Sequence, residues 1–369
     1  MAVVSDRVKH LFTVSLGDLN PFKSEENYVS VDIGSSSIKV IEARTGIQGL
    51  EVLNFGSVPT PSSAIHSNMV TEPDLVAEAV RGLLDAKGIG AKNAITAVPG
   101  PAVMIKRVSL ADQGPQETEQ AVMHEARNFI PEELDNVNLD FQITHSTEES
   151  QEIEILMAAA KKDIVTSYAD TLRVAGLTPV VVDVDYFALD NMYELNYDPL
   201  ESQVAALINI GSRYSSINIL KEGRSTFTGD VPVGGRDITE ALMRDLGIPG
   251  DEAERVKMGV AGTDLDDEHI SMALIPAVDA LIEEIHYALS FFWTAATDER
   301  IDVLYLSGGG SQTPELANRL AERAEAPVEV TDPFGRILID DEVDVAALRR
   351  RASEFAIALG LAVRRPVDK

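Results

Sequence analysis

A Gly- and Ser-rich hairpin that occurs twice is the feature that most limits what this chain can fold into. The first copy reads Tyr-Val-Ser-Val-Asp-Ile-Gly-Ser-Ser-Ser-Ile-Lys-Val-Ile-Glu-Ala over residues 28–43, and the second reads Ala-Leu-Ile-Asn-Ile-Gly-Ser-Arg-Tyr-Ser-Ser-Ile-Asn-Ile-Leu over residues 206–220. In both copies, residues typical of strands flank a turn of Gly and Ser. A repeat about half a chain apart predicts two similarly built lobes.

The turn of the first hairpin has the composition of an anion-binding loop. Backbone N–H groups and short hydroxyls that no bulky side chain covers can surround an anionic oxygen. Asp32 stands at the mouth of the turn, where it is placed to hold a magnesium-bound water. An isolated polar turn between two core strands would need no ligand, but two such turns facing one cleft predict a polyphosphate site. The residues concerned in the first turn are Gly34, Ser35, Ser36, Ser37 and the nearby Lys39.

Composition excludes several classes of function. The chain has 369 residues, which fits two or more domains, and a formal net charge of −29, which would repel nucleic acid and anionic lipid. It has no cysteine, so it has neither disulfides nor thiolate metal sites. No apolar run has transmembrane length, and charged residues interrupt the N-terminus where a signal peptide would be apolar. These features predict a soluble cytoplasmic protein without membrane insertion.

Apolar periodicity places helices and strands between the two hairpins. Helices are predicted over residues 73–87, 117–130 and 163–175, the last with Asp163 as N-cap, and residues 101–179 read as a small inserted α/β unit. A strand follows at residues 180–184 and a helix capped by Asp185. Asp183 interrupts that apolar strand, and its carboxylate needs either a metal ion or a structural hydrogen bond.

A third landmark follows the second hairpin. A buried strand runs into Gly308, Gly309 and Gly310, which would let the backbone approach a planar or anionic ligand closely, and Thr313 and Pro314 are predicted to open the next helix. Three further features are predicted there: a long helix over residues 272–296 whose Phe291-Phe292-Trp293 cluster is core, a face of helix 251–258 carrying Glu254 and Lys257, and a C-terminal helix over residues 346–363 that packs on the first lobe.

The order of these landmarks resembles the actin-like ATPase superfamily, whose phosphate-1, connect-1, phosphate-2 and adenosine elements they match. Three segments further resemble the inserted subdomain of the type IV pilus assembly protein PilM family, and a fourth resembles its C-terminal helix; the similarity covers about residues 28–365. These segments are Glu125-Ala-Arg-Asn-Phe-Ile-Pro131, Leu139-Asp-Phe-Gln142, Ala158-Ala-Ala-Lys-Lys162 and Phe355-Ala-Ile-Ala-Leu-Gly-Leu-Ala362.

The resemblance implies an α/β protein of the actin-like ATPase fold, with two duplicated lobes around a nucleotide cleft and an inserted small α/β subdomain in the first lobe. The implied domains are an N-terminal extension (1–27), a first lobe (28–100 with 180–200 and 341–369), the inserted subdomain (101–179), a second lobe (201–235 with 300–340) and its small subdomain (236–299).

The resemblance also implies ATP or ADP with Mg²⁺ in the cleft. Asp32 would orient water on the metal, Asp183 would face it, and the first turn with Lys39 would bind the β- and γ-phosphates. The second lobe would complete the site with Asn209, Gly211, Ser212, Gly234 and Gly235 at the phosphates, Glu254 and Lys257 at the ribose and adenine edge, and Gly308, Gly309 and Gly310 beneath the nucleoside.

One departure from the family pattern concerns hydrolysis. Many relatives have Asp where this chain has Asn209, and an amide cannot act as a base or hold a metal with full charge. We therefore expect nucleotide binding with slow or absent turnover, and the sequence identifies no catalytic residue.

The implied partner is the N-terminal cytoplasmic peptide of the inner-membrane protein PilN, gripped between the first lobe and the inserted subdomain. The protein would then lie at the inner membrane through PilN and other pilus components, and the sequence leaves open whether it forms a homo-oligomer. Two alternatives share the fold. An FtsA-like filament would need a membrane-binding C-terminal helix, and a small-molecule kinase would need a catalytic base facing a pocket, which Asn209 argues against.

Overall fold

The computed structural model describes residues 27–46, 49–147, 152–198, 202–260, 265–295 and 300–366. The predicted N-terminal extension, apart from Asn27, lies outside the described residues. Within them, no helix combines the length and the apolar character needed to cross a membrane.

Two large sheets with matching strand order confirm the predicted duplication. The first lobe's sheet is ordered β10-β6-β1-β2-β3-β16 and the second lobe's β13-β12-β11-β14-β15. In both, an antiparallel three-strand meander (β1–β3 or β11–β13) is extended by two parallel strands. The large-sheet strands are β1 (Tyr28–Ile33), β2 (Ser37–Gly46), β3 (Gly49–Pro59), β6 (Asn93–Val98), β10 (Thr178–Val184), β11 (Val204–Ile210), β12 (Ser215–Lys221), β13 (Arg224–Val231), β14 (Val303–Ser307), β15 (Val328–Val330) and β16 (Leu338–Ile339).

Two smaller sheets and ten helices of the described chain complete the fold. The short β4 (Ile65–His66) and β5 (Met69–Val70) pair with each other, and β7 (Val103–Ala111), β9 (Glu152–Lys161) and β8 (Val137–Thr147) form an antiparallel sheet in that order. The helices are α1 (Pro73–Lys87), α2 (Pro115–Phe129), α3 (Lys162–Val174), α4 (Asp185–Asn196), α5 (Gly235–Leu246), α6 (Gly250–Lys257), α7 (Asp267–Ala295), α8 (Leu316–Ala324), α9 (Val345–Arg350) and α10 (Ala356–Ala362).

Three apolar cores organise the lobes. One lies within the first lobe, between β1, β2 and β6 and helices α1 and α3, and a second fills the second lobe from β11 to α8. A third joins the lobes, because side chains of β2, β3, α4 and the C-terminal α10 pack with those of β11 and β14. The C-terminal segment thus packs on the first lobe, as the sequence predicts, and also reaches the second.

The inserted unit is smaller than predicted. Tyr168 and Leu172 of α3 are buried in the core of the first lobe, whereas α2 packs on the three-stranded sheet. The separate layer therefore comprises residues 103–161, and α3 belongs to the first lobe by packing.

Two predicted N-caps are wrong. The residue before α3 is Lys161, and Asp163 lies in the first turn, where its carboxylate accepts a hydrogen bond from the adjacent Ile164 N–H. Asp185 is the first residue of α4, and its carboxylate binds groups outside that helix. In both cases the preceding residue is extended and offers no capping side chain.

Three other local predictions also differ from the structure. Thr313 donates to the Gly310 carbonyl and closes a 3₁₀ turn, and α8 begins only after Glu315, whose φ is 67°. The C-terminal helix bends at Arg351 (φ −126°, ψ 21°), where it becomes a 3₁₀ segment before α10. In the aromatic cluster of α7, Phe292 is core as predicted, but Phe291 is 53% exposed.

Candidate functional site

The turns of the two hairpins have the same backbone geometry. The Gly34 N–H donates to the Ser37 carbonyl at 3.1 Å, and the Gly211 N–H donates to the Tyr214 carbonyl at the same distance. A Cβ atom would come within 2.9 Å of the acceptor oxygen at Gly34 and within 2.8 Å at Gly211. Each turn therefore requires glycine at its first position.

Both turns contribute to one cavity of about 200 Å³ between the lobes. Its lining residues from the first lobe include Asp32, Gly34, Ser35, Tyr168 and Asp185, and those from the second lobe are Arg213 and Tyr214. Two hydrogen bonds cross the cleft beside it: the Tyr214 hydroxyl donates to Asp185 at 2.9 Å, and the Arg213 guanidinium donates to the Ile65 carbonyl at 2.7 Å.

The first turn carries a charge pair. Asp32 and Lys39 face each other across β1 and β2 and form an ion pair of 3.0 Å, with both side chains about nine-tenths buried. Ser35 lines the cavity, whereas the Ser36 carbonyl accepts a hydrogen bond from the Thr60 N–H. The predicted phosphate residues of this lobe are thus adjacent, with Asp32, Gly34 and Ser35 at the cavity.

The second turn rests on the start of α5. Gly211 and Ser212 use their carbonyls to accept hydrogen bonds from the backbone N–H groups of Gly235 and Arg236, at 2.8 and 2.9 Å. A Cβ atom at Gly234 would lie 2.5 Å from the Gly211 oxygen and 2.6 Å from the Ser212 oxygen. Gly234 and Gly235 therefore hold the second turn in place.

Glu254 and Lys257 are side by side, as their helical spacing predicts. The Lys257 ammonium is buried and donates to Glu254 at 2.7 Å, to Thr239 at 3.0 Å and to the Gly235 carbonyl at 3.1 Å. These three bonds use all of its protons. Glu254 is about half exposed, and only its Oε2 atom accepts these bonds.

Two of the three consecutive glycines are required by packing against β11. Gly308 has a φ of 82°, and a Cβ atom there would lie 2.5 Å from the Ile210 oxygen, while one at Gly310 would overlap the Ile210 side chain. A Cβ atom at Gly309 would meet nothing closer than Glu354 Cγ at 3.9 Å. Asn209, on β11, directs its amide oxygen toward Gly308 and accepts a 3.4 Å hydrogen bond from Ser307.

Of the two acidic residues around the end of β10, the structure brings Asp185 to the cavity. Asp183 is buried, forms a 2.9 Å ion pair with Arg364 and does not line the cavity. Asp185 accepts hydrogen bonds from the Gly100 N–H and from Tyr214. Sequence reasoning missed Asp185 as a site residue, although its place directly after a strand parallel to β6 was a usable signal.

Burial governs the protonation of Asp185. Its pKa is raised to about 7, mainly by desolvation and in part by the nearby Asp230 carboxylate, against the lowering effect of the hydrogen bond from Tyr214. Asp230, on β13 of the second lobe, accepts a hydrogen bond from Tyr186 of the first lobe, and burial raises its pKa as well. Two tyrosine–carboxylate hydrogen bonds therefore cross the cleft, one with its tyrosine on the second lobe and the other with its tyrosine on the first.

The two turns that begin with glycine, together with Lys39 and Arg213, could bind a polyphosphate. The carboxylates of Asp32 and Asp185 could bind a metal-bound water. Clusters of three or more metal-ligating side chains are not found in the described part of the chain. Magnesium on a polyphosphate does not need one, because it keeps several waters and takes one or two carboxylates.

Comparisons with known proteins agree with this architecture. The family described as type IV pilus assembly protein PilM matches residues 30–366. Among solved structures, a PilM–PilN type IV pilus biogenesis complex has a TM-score of 0.80 and 28% identity, covering 94% of this chain and 100% of that one. The ethanolamine utilization protein EutJ from Carboxydothermus hydrogenoformans has a TM-score of 0.54 and 15% identity, covering 97% of each chain, and shows the fold alone.

Curated relatives include two cell division proteins FtsA. That of Staphylococcus epidermidis strain ATCC 12228 is 26% identical over 258 residues, or 63% of this chain and 54% of the relative; that of Bacillus subtilis strain 168 is 24% identical over 258 residues, or 63% and 58%. The match thus spans little more than half the length of these relatives. With a family match over residues 30–366 and two lobes that share five strands in the same order, the chain has the actin-like ATPase fold and belongs to the type IV pilus assembly protein PilM family.

Proposed function

We propose that this protein is a cytoplasmic ATP-binding scaffold of the type IV pilus machine, which takes up Mg-ATP between its lobes and binds the N-terminal tail of PilN. The observation that carries the nucleotide part is that turns of both hairpins reach one interlobe cavity. Family membership and the resemblance in the sequence support the pilus part.

At the phosphate end, the first turn would donate its backbone N–H groups and the Ser35 hydroxyl, with Lys39 beside them. Lys39 uses one proton on Asp32 in the described structure, which leaves two for phosphate oxygens. Asp32 and Asp185 would hold waters on the magnesium, which would neutralise the phosphate charge. Asp185 replaces Asp183 in this proposal, because the Asp183 carboxylate is paired with Arg364.

At the nucleoside end, Glu254 would accept from the ribose hydroxyls with its Oε1 atom. Lys257 would fix Glu254 rather than contact the nucleotide, because its three protons are bonded within the protein. Gly309 would lie beneath the base, where the backbone leaves room for a flat ligand.

Turnover in this proposal is slow or absent. The second turn offers the Asn209 amide at the position that corresponds to Asp32 of the first, and an amide cannot accept a proton from an attacking water. The protein would then use nucleotide for its conformation rather than for rapid chemistry.

Titration calorimetry with Mg-ATP tests the nucleotide proposal. We expect Asp32→Ala and Gly309→Leu to weaken binding at least tenfold. Gly309→Leu should leave the unfolding midpoint nearly unchanged, because its Cβ atom has free space. Gly90→Leu is the matched control, since Gly90 is exposed and a Cβ atom there meets nothing within 4 Å. Wild-type affinity in both site variants would refute the proposal.

Peptide binding tests the partner proposal. The N-terminal tail of a candidate PilN, labelled with a fluorophore, would bind between the first lobe and the layer of residues 103–161, and the membrane contact would run through that partner. We expect specific binding by fluorescence anisotropy, with an affinity that changes when Mg-ATP is added, which would define the coupling between the sites. A tail that binds no better than its scrambled sequence would contradict the partner role.

A further inference from the structure

Arg213 is a cation at the interlobe cavity that the predicted site does not include. It lies on the second turn, in the position that Ser36 occupies in the first, and its guanidinium donates to the Ile65 carbonyl of β4 across the cleft. Among the ion pairs of the described residues, none involves Arg213.

A guanidinium that binds a backbone carbonyl instead of a carboxylate is unusual in so acidic a chain. With 60 Asp and Glu against 31 Lys and Arg, carboxylates are abundant, and Arg236, Arg319 and Arg323 of the same lobe each bind one. A guanidinium has five N–H donors in a planar fork that matches a phosphate or carboxylate. The described contact to Ile65 uses one of them, and Arg213 is an exposed residue that lines the cavity.

We propose that Arg213 binds the terminal phosphoryl group of a nucleoside triphosphate and so makes the site prefer triphosphate over diphosphate. The inference rests on the proposed nucleotide function. The first turn and Lys39 would hold the polyphosphate from one lobe, and Arg213 faces the same cavity from the other. A diphosphate held by the first turn ends one phosphoryl group earlier and leaves the guanidinium without its anion.

Arg213 would also couple phosphate binding to the closure of the cleft between the lobes. Because Arg213 already binds β4 of the first lobe, a phosphate oxygen on its free donors would join both lobes to the ligand through one group. Triphosphate would therefore favour the closed cleft more than diphosphate does, by the differential affinity that Arg213 supplies.

Calorimetry with ATP and ADP, each with magnesium, on wild type, Arg213→Ala and Arg213→Lys tests the proposal. We expect Arg213→Ala to weaken ATP about tenfold and ADP less than twofold, with Arg213→Lys in between, since an ammonium keeps the charge but loses the fork. Arg236→Ala is the control: it removes the same charge from a nearby arginine whose guanidinium is paired with Glu240, and it should change neither affinity.

The possible outcomes distinguish the role of Arg213 from the proposed nucleotide function on which it rests. A wild type that binds neither nucleotide would refute the nucleotide function itself. A wild type that binds both, with an Arg213→Ala variant that loses ATP and ADP equally or not at all, would refute the inference alone, because Arg213 would then be only a clamp between the lobes. Arg213→Lys keeps the test available if the alanine variant does not fold.

Discussion

The turns after β1 and β11 have the same backbone geometry and begin with the same Gly-Ser pair, but they differ in the side chains that follow and in those that flank them. Each closes with the same hydrogen bond between its first and fourth residues. The first turn is flanked by Asp32 and Lys39, which pair within one lobe, whereas the corresponding positions of the second are Asn209 and Ser216. Ser36 and Ser37 of the first turn correspond to the Arg213 and Tyr214 of the second, which reach the opposite lobe.

The difference indicates how a duplicated element becomes a two-sided site. Glycine positions and register are kept because the turn cannot close otherwise, so the two lobes present similar backbone donors. The side chains are not bound by that constraint. The first turn has become a local charge site, and the second has become the element that connects the lobes.

The glycine before α5 should show the largest effect, because a Cβ atom at Gly234 would press on two carbonyl oxygens of the second turn. Gly234→Ala places a Cβ atom within 2.6 Å of two carbonyl oxygens that cannot move independently, and we expect the free energy of unfolding to fall by about 3 kcal/mol. The first turn is held instead by the Thr60 hydroxyl and N–H. Urea denaturation measures the change.

Gly82→Ala is the control for that substitution. Gly82 lies inside α1, and a Cβ atom there would meet nothing within 4 Å, so alanine should raise the free energy of unfolding by up to about 1 kcal/mol. Equal stabilities of Gly234→Ala and wild type would mean that the second turn is not fixed by α5.

Asp185, the carboxyl that Tyr214 of the second turn contacts across the cleft, should give the protein a pH dependence because it is buried. Its pKa is raised to about 7 in the folded state from an ordinary value of 3.8, because the carboxyl is buried and Asp230 is near. The folded state therefore binds more protons than the unfolded state between these values, so stability is highest below about pH 4 on this account and falls as the pH rises to 7. The full effect would be at most about 4 kcal/mol.

Asp185→Asn removes this titration. We expect the slope of unfolding free energy against pH to flatten between pH 5 and 7 and the variant to be more stable than wild type at pH 8, with weaker Mg-ATP binding. Denaturation at several pH values measures the slope. A wild-type slope that the substitution leaves intact would assign the titration to another group, such as Asp230, whose pKa burial also raises.

Two lysines near the site, one from each lobe, should differ in how strongly their loss weakens nucleotide binding. Lys39 makes one hydrogen bond within the protein, whereas Lys257 makes three. We expect Lys39→Met to lower Mg-ATP affinity about tenfold and also to cost stability, because the buried Asp32 carboxylate loses its partner. We expect Lys257→Met to lower the free energy of unfolding by about 2 kcal/mol with a smaller effect on affinity, because its acceptors lose their donor. A larger loss of Mg-ATP affinity from Lys257→Met than from Lys39→Met would contradict the roles proposed for the two lysines.

The sequence predicts the site where chemistry and turn geometry coincide, and misses it where tertiary packing decides. Glycines at positions 34, 211, 308 and 310 could be recognised because few other residues fit such turns. Which of Asp183 and Asp185 lines the cavity could not be predicted from the sequence, since it depends on how the chain turns from β10 into α4. Arg213 was overlooked for a similar reason: its significance lies in a contact to Ile65 of β4, 148 residues away. The bend at Arg351 also could not be predicted, because the composition of this segment favours a continuous helix. In the structure, the Ser353 carbonyl just after the bend accepts a hydrogen bond from the distant Gly308 N–H.

The smallest effect should come from Ser36, the counterpart of Arg213. Its side chain is exposed and does not line the cavity, and the carbonyl that Thr60 binds remains after substitution. Ser36→Ala should therefore change Mg-ATP affinity less than twofold, although Arg213→Ala at the corresponding position of the other turn should change it about tenfold, measured by the same calorimetry. Equal losses from the two substitutions would mean that both turns bind phosphate symmetrically through their third residue, and that the functional divergence between the lobes lies only in the Asp32 and Asn209 positions.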